Sequence, residues 1–515
     1  MAADGLTVAG VLDRQHRRGD QPLLVCDHER LTYAAAEHRS AELARGLLAL
    51  GVGKGTHVGL WYPNGAQFVV ATLAAARIGA VVVPFSTFLT ATELRDQLVR
   101  SDVTVLLAAT AYRNHDYRQR VGAALGVDVN EFDGTAALFT TAAPVLRHIL
   151  FDTDALARRG AATDPALLAA TEADVAAADV LAIVYTSGST GRPKGAVHTH
   201  GALLEHQANL NAIRGLTASD ILFSNSPFCW IGGFAFSLLS TFIAGATLVC
   251  SNATDAAVTL DLLEAEKPTV GNGFAAGIAH LSRHPSFTER DLSSLRRGNL
   301  YPLMPVDVRP ADPELRHNML GMTETGSVAL IDRDDTDQPE SRRGSFGRLA
   351  PGFEAQVIDS ELWLRGPYLM QRYYGLARED CFDAHGWFHT GDLVRVDADG
   401  FFYFLGRAGS MIKTAGANVA PPEVEAALTR VLADRGVAGV HVFGLPDPVR
   451  GQIVAAVIAL EDPSAFDPAA TSEALRATLS AYKIPKRFAA CRPAEVPVLS
   501  SGKIDIAGLA GLFDA

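Results

Sequence analysis

The residues best suited to chemistry lie in one run, YTSGSTGRPKGAVHTH, Tyr185 to His200. Gly188, Gly191 and Gly195 allow tight turns that aim backbone amides at an anion, and Thr186, Ser187, Ser189 and Thr190 add hydroxyl donors. Such a loop is a natural phosphate cradle. A plain flexible Ser/Gly turn fits poorly with the embedded Pro193 and Lys194. No Gly-Lys-Ser/Thr follows a glycine at the Walker spacing, which disfavours a P-loop ATPase or kinase.

The cradle needs rigid flanks. An apolar run, Val180 to Val184, precedes it as a strand, and a helical pattern begins near Ala202. Upstream, Val58 to Trp61 predicts a strand closed by Pro63, Gln67 to Ile78 a helix ended by Gly79, and Val81 to Val83 another strand. This is the rhythm of a layered α/β domain. Thr90 and Glu93 form a capping box for the next helix, and peripheral helices are expected between about Gly122 and Asp179. Near Gly409, the aromatic strand pattern GFFYFLGR gives way to a short joint. Beyond it come a helix started by Pro421 and Pro422, strands at Val437 to Phe443 and Ile453 to Leu460, and a helix before Tyr482. These elements suffice for a small separate domain.

Composition narrows the class. With 515 residues, 48% hydrophobic and 20% charged, the chain can bury more than one core. A formal net charge of -12 argues against general nucleic-acid binding, which relies on Lys and Arg at phosphates. Cys26, Cys229, Cys250, Cys381 and Cys491 have no CxxC spacing, so neither a disulfide framework nor a structural zinc site is expected, and a reducing cytoplasm fits. Asp4 and Asp13 interrupt any export signal. Ile231 to Val249 is uncharged and long enough to cross a bilayer, but its glycines and the Ala-Gly-Ala break at 244–246 point instead to a buried helix, a turn and a buried strand.

YTSGSTGRPKG resembles the signature loop of the adenylate-forming superfamily of acyl-CoA synthetases, peptide-synthetase adenylation domains and luciferases. GMTETG at Gly321 to Gly326, WFHTGDLVRVDADGFFYFLGR at Trp387 to Arg407 and SSGKID at Ser500 to Asp505 resemble further motifs in the superfamily's order. The resemblance implies an α/β protein: a large layered N-terminal α/β domain, 1–406, a hinge at 407–409, and a small α+β C-terminal lid domain, 410–515.

It also implies roles. The ATP or AMP site would comprise Thr186, Ser187, Gly188, Ser189, Thr190, Gly191 and Lys194, with Leu320, Gly321, Met322 and Thr323, and with Asp392 and Arg407 at the ribose. Activating a carboxylate at the α-phosphate of ATP brings two anions together, and the growing charge must be stabilised by positioned cations. Lys503 is the expected catalytic bridge between them, its flexible ammonium acting as a point charge. Glu324 suits Mg²⁺ bound through the phosphates, assisted by the Thr186 hydroxyl. Trp230, Gly232, Gly233 and Phe274 are expected to line an acyl pocket, and Gly416 a pantetheine tunnel for CoA.

The chain departs from the family pattern in several places. Leu320 stands where an aromatic usually lies against adenine, and Trp230 where many acyl-CoA synthetases have histidine. Gly409 replaces the usual Asp or Lys of the hinge, and Asn418 an Arg found in acetate-type members. The small residues among 230–233 and 271–280 suggest room for a bulky or extended apolar acid, with no evident anchor for an amino group. The expected activity is therefore formation of acyl-AMP and pyrophosphate from an apolar acid and MgATP, followed by thioester formation with CoA. One alternative is adenylation only, with the acyl group passed to a carrier protein or a separate thiolation enzyme. The other is a non-catalytic nucleotide- or acid-binding homologue, which the joint presence of Lys503, Glu324, Asp392 and Arg407 argues against. Neither nucleic acid nor a membrane span is expected among its partners.

Overall fold

The computed structural model describes residues 5–129, 134, 136–186, 193–414, 417–448, 450–476, 479, 482–499 and 504–513. The chain divides into two compact units: Met1–Glu354 with Arg365–Gly386, and Ala355–Leu364 with Trp387–Ala515.

The first unit is built on two six-stranded sheets. In one, Val180–Thr186, Val81–Pro84, His57–Trp61, Val105–Ala108 and His148–Leu150 run parallel, with Lys194–Thr199 antiparallel at the edge. In the other, Arg297–Gly298, Val270–Asn272, Ile221–Ser224, Thr247–Cys250 and Pro22–Cys26 run parallel, and Glu29–Thr32 closes the edge antiparallel. Strands covered on both faces read as continuous apolar runs, and VVVP, VLLA and TLVC are buried at every position. The helix Ala66–Arg77 is apolar nearly all round because it is buried nearly all round. Its Phe68 and Ala71 join Val58 and Val82 of one sheet and Leu24 and Leu248 of the other in a single core.

Local signals hold. Thr90 accepts from the Glu93 amide while Glu93 reaches back to the Thr90 amide at 2.8 Å, the reciprocal capping box expected for Ala91–Arg100. Between Gly122 and Asp179 the helices Thr153–Gly160 and Pro165–Asp174 are present, following the edge strand His148–Leu150. Ile231 to Val249 resolves into a π-helix at Gly232–Leu239, a short α-helix at Ser240–Ala244, a turn at Gly245 and the strand Thr247–Cys250. Among the described residues no helix is long and apolar enough to cross a membrane.

The second unit holds a four-stranded antiparallel sheet in the order Glu354–Ile358, Glu361–Arg365, Phe388–Val396, Phe402–Arg407. It also holds a five-stranded sheet centred on the hairpin Val437–Asp447 and Gly451–Leu460, with Arg487–Cys491 parallel beside the latter. Helix Pro421–Val431 packs its Val424, Ala427 and Leu428 against Val442 and Ile458 of that hairpin. Glu425 fastens the helix by accepting the Val442 amide at 2.9 Å. Residues 407–409 fall inside this unit, in a turn where Ser410 donates its amide to the Arg407 carbonyl at 2.9 Å.

Candidate active site

In the first unit, the strands Val180–Thr186 and Lys194–Thr199 pair with Thr186 opposite Lys194, which sets the two ends of the phosphate-loop motif side by side. Gly195 is required by this pairing: a Cβ there would meet Ile183 at 2.6 Å and the Tyr185 ring at 2.9 Å. Ser187, Gly188, Ser189, Thr190 and Gly191 lie outside the described residues, as do Gly416 and Lys503.

The GMTETG motif forms the short strand Leu320–Met322 and the turn Thr323–Thr325, closed by Gly326 at φ 66°. Buried side chains lock this turn. Thr325 is fully buried; its hydroxyl accepts the Met322 amide at 3.2 Å and shares its one proton between the Met322 and Ser327 carbonyls at 3.0 and 2.8 Å, so it staples the turn and has no proton left for phosphate. His198 donates from Nε2 to the Thr323 carbonyl at 2.7 Å, and His206 to the Val328 carbonyl at 2.9 Å. Gln207 donates to the Gly326 carbonyl at 3.0 Å and accepts from the Ser327 hydroxyl at 3.1 Å. Burial lowers the pKa of both histidines to about 4, so each is a neutral donor at physiological pH. Ser327 follows the motif at φ 150°, a conformation that a side chain rarely adopts and that the surrounding bonds hold in place.

This scaffold leaves Glu324 half-buried beside a residue outside every motif. Tyr373 donates its hydroxyl to Glu324 Oε1 at 2.6 Å, and the Met370 amide donates to the Glu324 carbonyl at 2.8 Å. Lys194 Nζ lies 5.0 Å from the centre of the Tyr373 ring, within cation–π reach. Tyr373 gets there by bridging its backbone to Ala196 of the strand Lys194–Thr199. The structure thus gathers Lys194 and Glu324 around one tyrosine that spacing alone did not reveal, with Thr186 across the strand pair from Lys194. A carboxylate with one oxygen committed and hydroxyls nearby suits Mg²⁺, which prefers one or two carboxylates plus substrate phosphates to an all-protein cage. Among the described residues there is no cluster of three or more His, Cys, Asp or Glu that could hold a metal ion.

Trp230 stands just before the π-helix, a rare geometry often found at functional sites. Its ring meets Phe274 edge-on at 5.5 Å, and Asn225 holds Phe274 through its amide and carbonyl at 2.8 and 2.9 Å. The glycines here differ from the expectation of a pocket opened by small residues. A Cβ on Gly233 would sit 2.0 Å from the Pro227 carbonyl oxygen, and one on Gly273 would sit 1.9 Å from Asn225 Oδ1. Those glycines admit the protein's own chain. Gly232 is the exception, with its nearest neighbour, Ser226 Oγ, at 3.9 Å.

In the second unit, Asp392 and Arg407 face each other across antiparallel strands. Arg407 Nε lies 2.7 Å from Asp392 Oδ1, with the carboxylate 1% and the guanidinium 53% exposed. Thr390 accepts the Asp392 amide at 3.0 Å, and Glu361 accepts that of Gly391 at 2.8 Å. A fixed carboxylate backed by an exposed planar fork suits a vicinal diol or a phosphate.

Residues 12–374 match the AMP-binding enzyme family and residues 423–503 its C-terminal domain. The chain is 32% identical, over 94% of its length and 95% of the relative's, to a Mycobacterium tuberculosis ligase that forms the CoA thioester of a methyl-dioxo-octahydroindenyl propanoate. It is 31% identical to a feruloyl-CoA synthase of Amycolatopsis, covering 92% of each. The structure of the anthranilate CoA ligase AuaEII in complex with anthranoyl-AMP superposes with a TM-score of 0.81 at 22% identity, covering 99% of this chain and 98% of that one. With the family match spanning most of the chain and the motifs assembled as described, this protein belongs to the AMP-binding enzymes of the adenylate-forming superfamily.

Proposed function

We propose that the chain activates a bulky apolar carboxylic acid, with Lys194, Tyr373 and Glu324 organising the nucleotide phosphates. The activity is that of an AMP-forming acyl-CoA synthetase: acid and ATP give acyl-AMP and pyrophosphate, and CoA then gives acyl-CoA and AMP. The observation that carries the assignment of residues is the Tyr373 bridge between the Lys194 ammonium and the Glu324 carboxylate, at 5.0 and 2.6 Å.

Adenylation proceeds by attack of the carboxylate oxygen on the α-phosphorus, with pyrophosphate leaving. Lys194 would hold the phosphates, Glu324 with Thr186 would hold the magnesium that neutralises them, and Tyr373 would keep Glu324 turned to that task. Asp392 would accept the ribose hydroxyls with Arg407 beside it, and Lys503 would bridge the attacking carboxylate and the α-phosphate. In the second step the CoA sulfur attacks the acyl carbonyl and AMP leaves. We place the turn between steps at the joint 407–409, where Gly409, having no side chain, leaves the backbone more conformational freedom. Gly416 would line the CoA entrance. The bulky-acid reading rests on the open side of Gly232, on the Trp230–Phe274 pair, and on relatives acting on a fused bicyclic propanoate and a cinnamic-type acid. A cytoplasmic setting, with CoA rather than a carrier protein as acceptor, completes the proposal.

Mass-spectrometric product analysis with MgATP and aliphatic, aromatic and polycyclic acids, with and without CoA, tests it. Acyl-AMP alone and acyl-CoA on addition of CoA are the expected products. Acyl-AMP that persists with CoA would assign the second step to another acceptor, and activation of small acids only would overturn the substrate class.

A further inference from the structure

Helix His200–Arg214 ends in a cation that is bonded to no anion among the described residues. Arg214 donates to Asn211 Oδ1 at 3.0 Å, to Asn272 Oδ1 at 3.3 Å, to the Phe236 carbonyl at 3.5 Å and to the Ser240 hydroxyl, all neutral acceptors. Its guanidinium carbon lies 3.9 Å from the centre of the Phe236 ring. Its Nε is buried and has no partner among the described residues. The nearby carboxylate, Asp220, is already committed to Arg297 at 2.8 Å, to the hydroxyls of Thr217 and Thr269 and to the Thr217 amide. Arg297 itself donates to the Arg214 carbonyl at 2.7 Å, so the second cation opposes the first. Burial and then the Arg297 charge lower the Arg214 pKa to about 9. Although part of the side chain reaches solvent, its Nε does not, and a buried guanidinium N–H without an acceptor is costly unless a ligand completes it.

The helix end does not account for it. A cation is favoured at a helix C-terminus, but this terminus is already closed by Gly215 at φ 62°, whose amide returns to the Asn211 carbonyl. What Arg214 does touch is informative: Phe236 lies on the π-helix one turn beyond Gly232, and Asn272 lies between Gly271 and Gly273 at the end of its strand. The first continues the helix that starts at the expected acid-pocket residues 230–233, and the second lies within the expected stretch 271–280.

We propose that Arg214 is a specificity-determining residue, whose guanidinium receives a hydrogen-bond acceptor, carboxylate or ketone, carried by the acid at the end remote from its reacting carboxylate. The inference rests on the reading of residues 230–233 and 271–280 as walls of the acyl site, extended along the same π-helix to Phe236. The substrate is then an apolar acid with one polar distal group, not a plain hydrocarbon acid. Neutral amides and hydroxyls hold the guanidinium in place without neutralising it, which leaves its charge for the ligand.

Acid-dependent exchange of labelled pyrophosphate into ATP, with matched cycloalkyl propanoic acids bearing no distal group, a distal ketone or a distal carboxylate, tests this. The wild type is expected to favour a distally substituted acid by about tenfold to a hundredfold in kcat/KM, the range of a hydrogen bond to a charged group. Arg214→Gln and Arg214→Met should abolish that preference while leaving kcat/KM for the plain acid within about threefold, the contrast expected when one substrate contact is lost. Arg214→Lys, which keeps the charge but loses the planar fork, should retain preference for the carboxylate and lose it for the ketone if the carboxylate is the natural group. A wild type that prefers plain acids, or variants that keep the distal preference, would overturn the role of Arg214. Exchange with none of the acids would instead sink the activation reading on which it rests.

Discussion

The turn Thr323–Thr325 and the wall formed by the π-helix Gly232–Leu239 with residues 271–274 are built by opposite means. The turn is tied through backbone carbonyls to the buried side chains of His198, His206 and Gln207, and its own Thr325 closes it from within. The wall presents side chains: a half-buried Trp230, a Phe274 that is 50% exposed, and a guanidinium held by neutral oxygens. A nucleotide is the same in every turnover, so if the turn holds it, as proposed, that site can be fixed by backbone geometry. An acid varies between enzymes, and side chains on an established backbone are the means of changing what is recognised.

If that contrast is right, changes on the nucleotide side should slow all acids alike, and changes on the acid side should redistribute preference among them. The largest effect belongs to Lys503→Ala. Pyrophosphate exchange should fall by about a hundredfold to a thousandfold with every acid, the range for removing one group that stabilises transition-state charge, while calorimetric ATP binding stays largely intact. Normal turnover would remove Lys503 from the mechanism.

Tyr373→Phe comes next, deleting one hydrogen bond to the Glu324 carboxylate while keeping the ring under Lys194. Losing such a bond costs about 1.5–3 kcal/mol, and it should appear as weaker binding of MgATP, measured by calorimetry and by the magnesium dependence of the rate, with acid preference unchanged. A shift in acid preference would blur the division between the two regions.

The buried histidines make a stability prediction. His198, His200 and His206 have native pKa values lowered by burial from 6.5 to about 4. The unfolded chain therefore takes up protons near pH 6.5 and the folded one only near pH 4, so stability is fully present above pH 6.5 and drains away as pH falls toward 4. Unfolding midpoints measured by circular dichroism across that window should fall, and His206→Gln, which can still donate to the Val328 carbonyl, should flatten the slope. An unchanged slope would mean that the turn does not depend on a neutral imidazole there. The smallest effect expected is that of Trp230→Ala, about threefold to tenfold on kcat/KM and confined to acids large enough to touch that ring, as for other contacts in apolar pockets.

Much of this architecture is written locally. Thr90 and Glu93 cap their helix because both partners lie within one turn, and strands such as Val81–Pro84 declare themselves by apolar runs covered on both faces. The motifs name Thr186, Lys194, Asp392 and Arg407, but the strand Lys194–Thr199 that sets Lys194 opposite Thr186 lies inside a run that reads as a loop, and its pairing is a finding of the structure. Tyr373 belongs to no motif, and its bond to Glu324, 49 residues away, exists because its backbone bridges to Ala196. His198 reaches Thr323 across 125 residues for the same kind of reason. Gly233 and Gly273 suggest an open pocket when counted along the chain, yet in space they admit a carbonyl and an asparagine. Arg214 reads as the ordinary last residue of a helix until its neighbours prove neutral. Periodicity, caps and turn residues act over a few positions and are therefore legible in sequence. Which side chain completes another's hydrogen bonds, and which space is already filled, is set by packing between distant segments, and only the tertiary structure decides it.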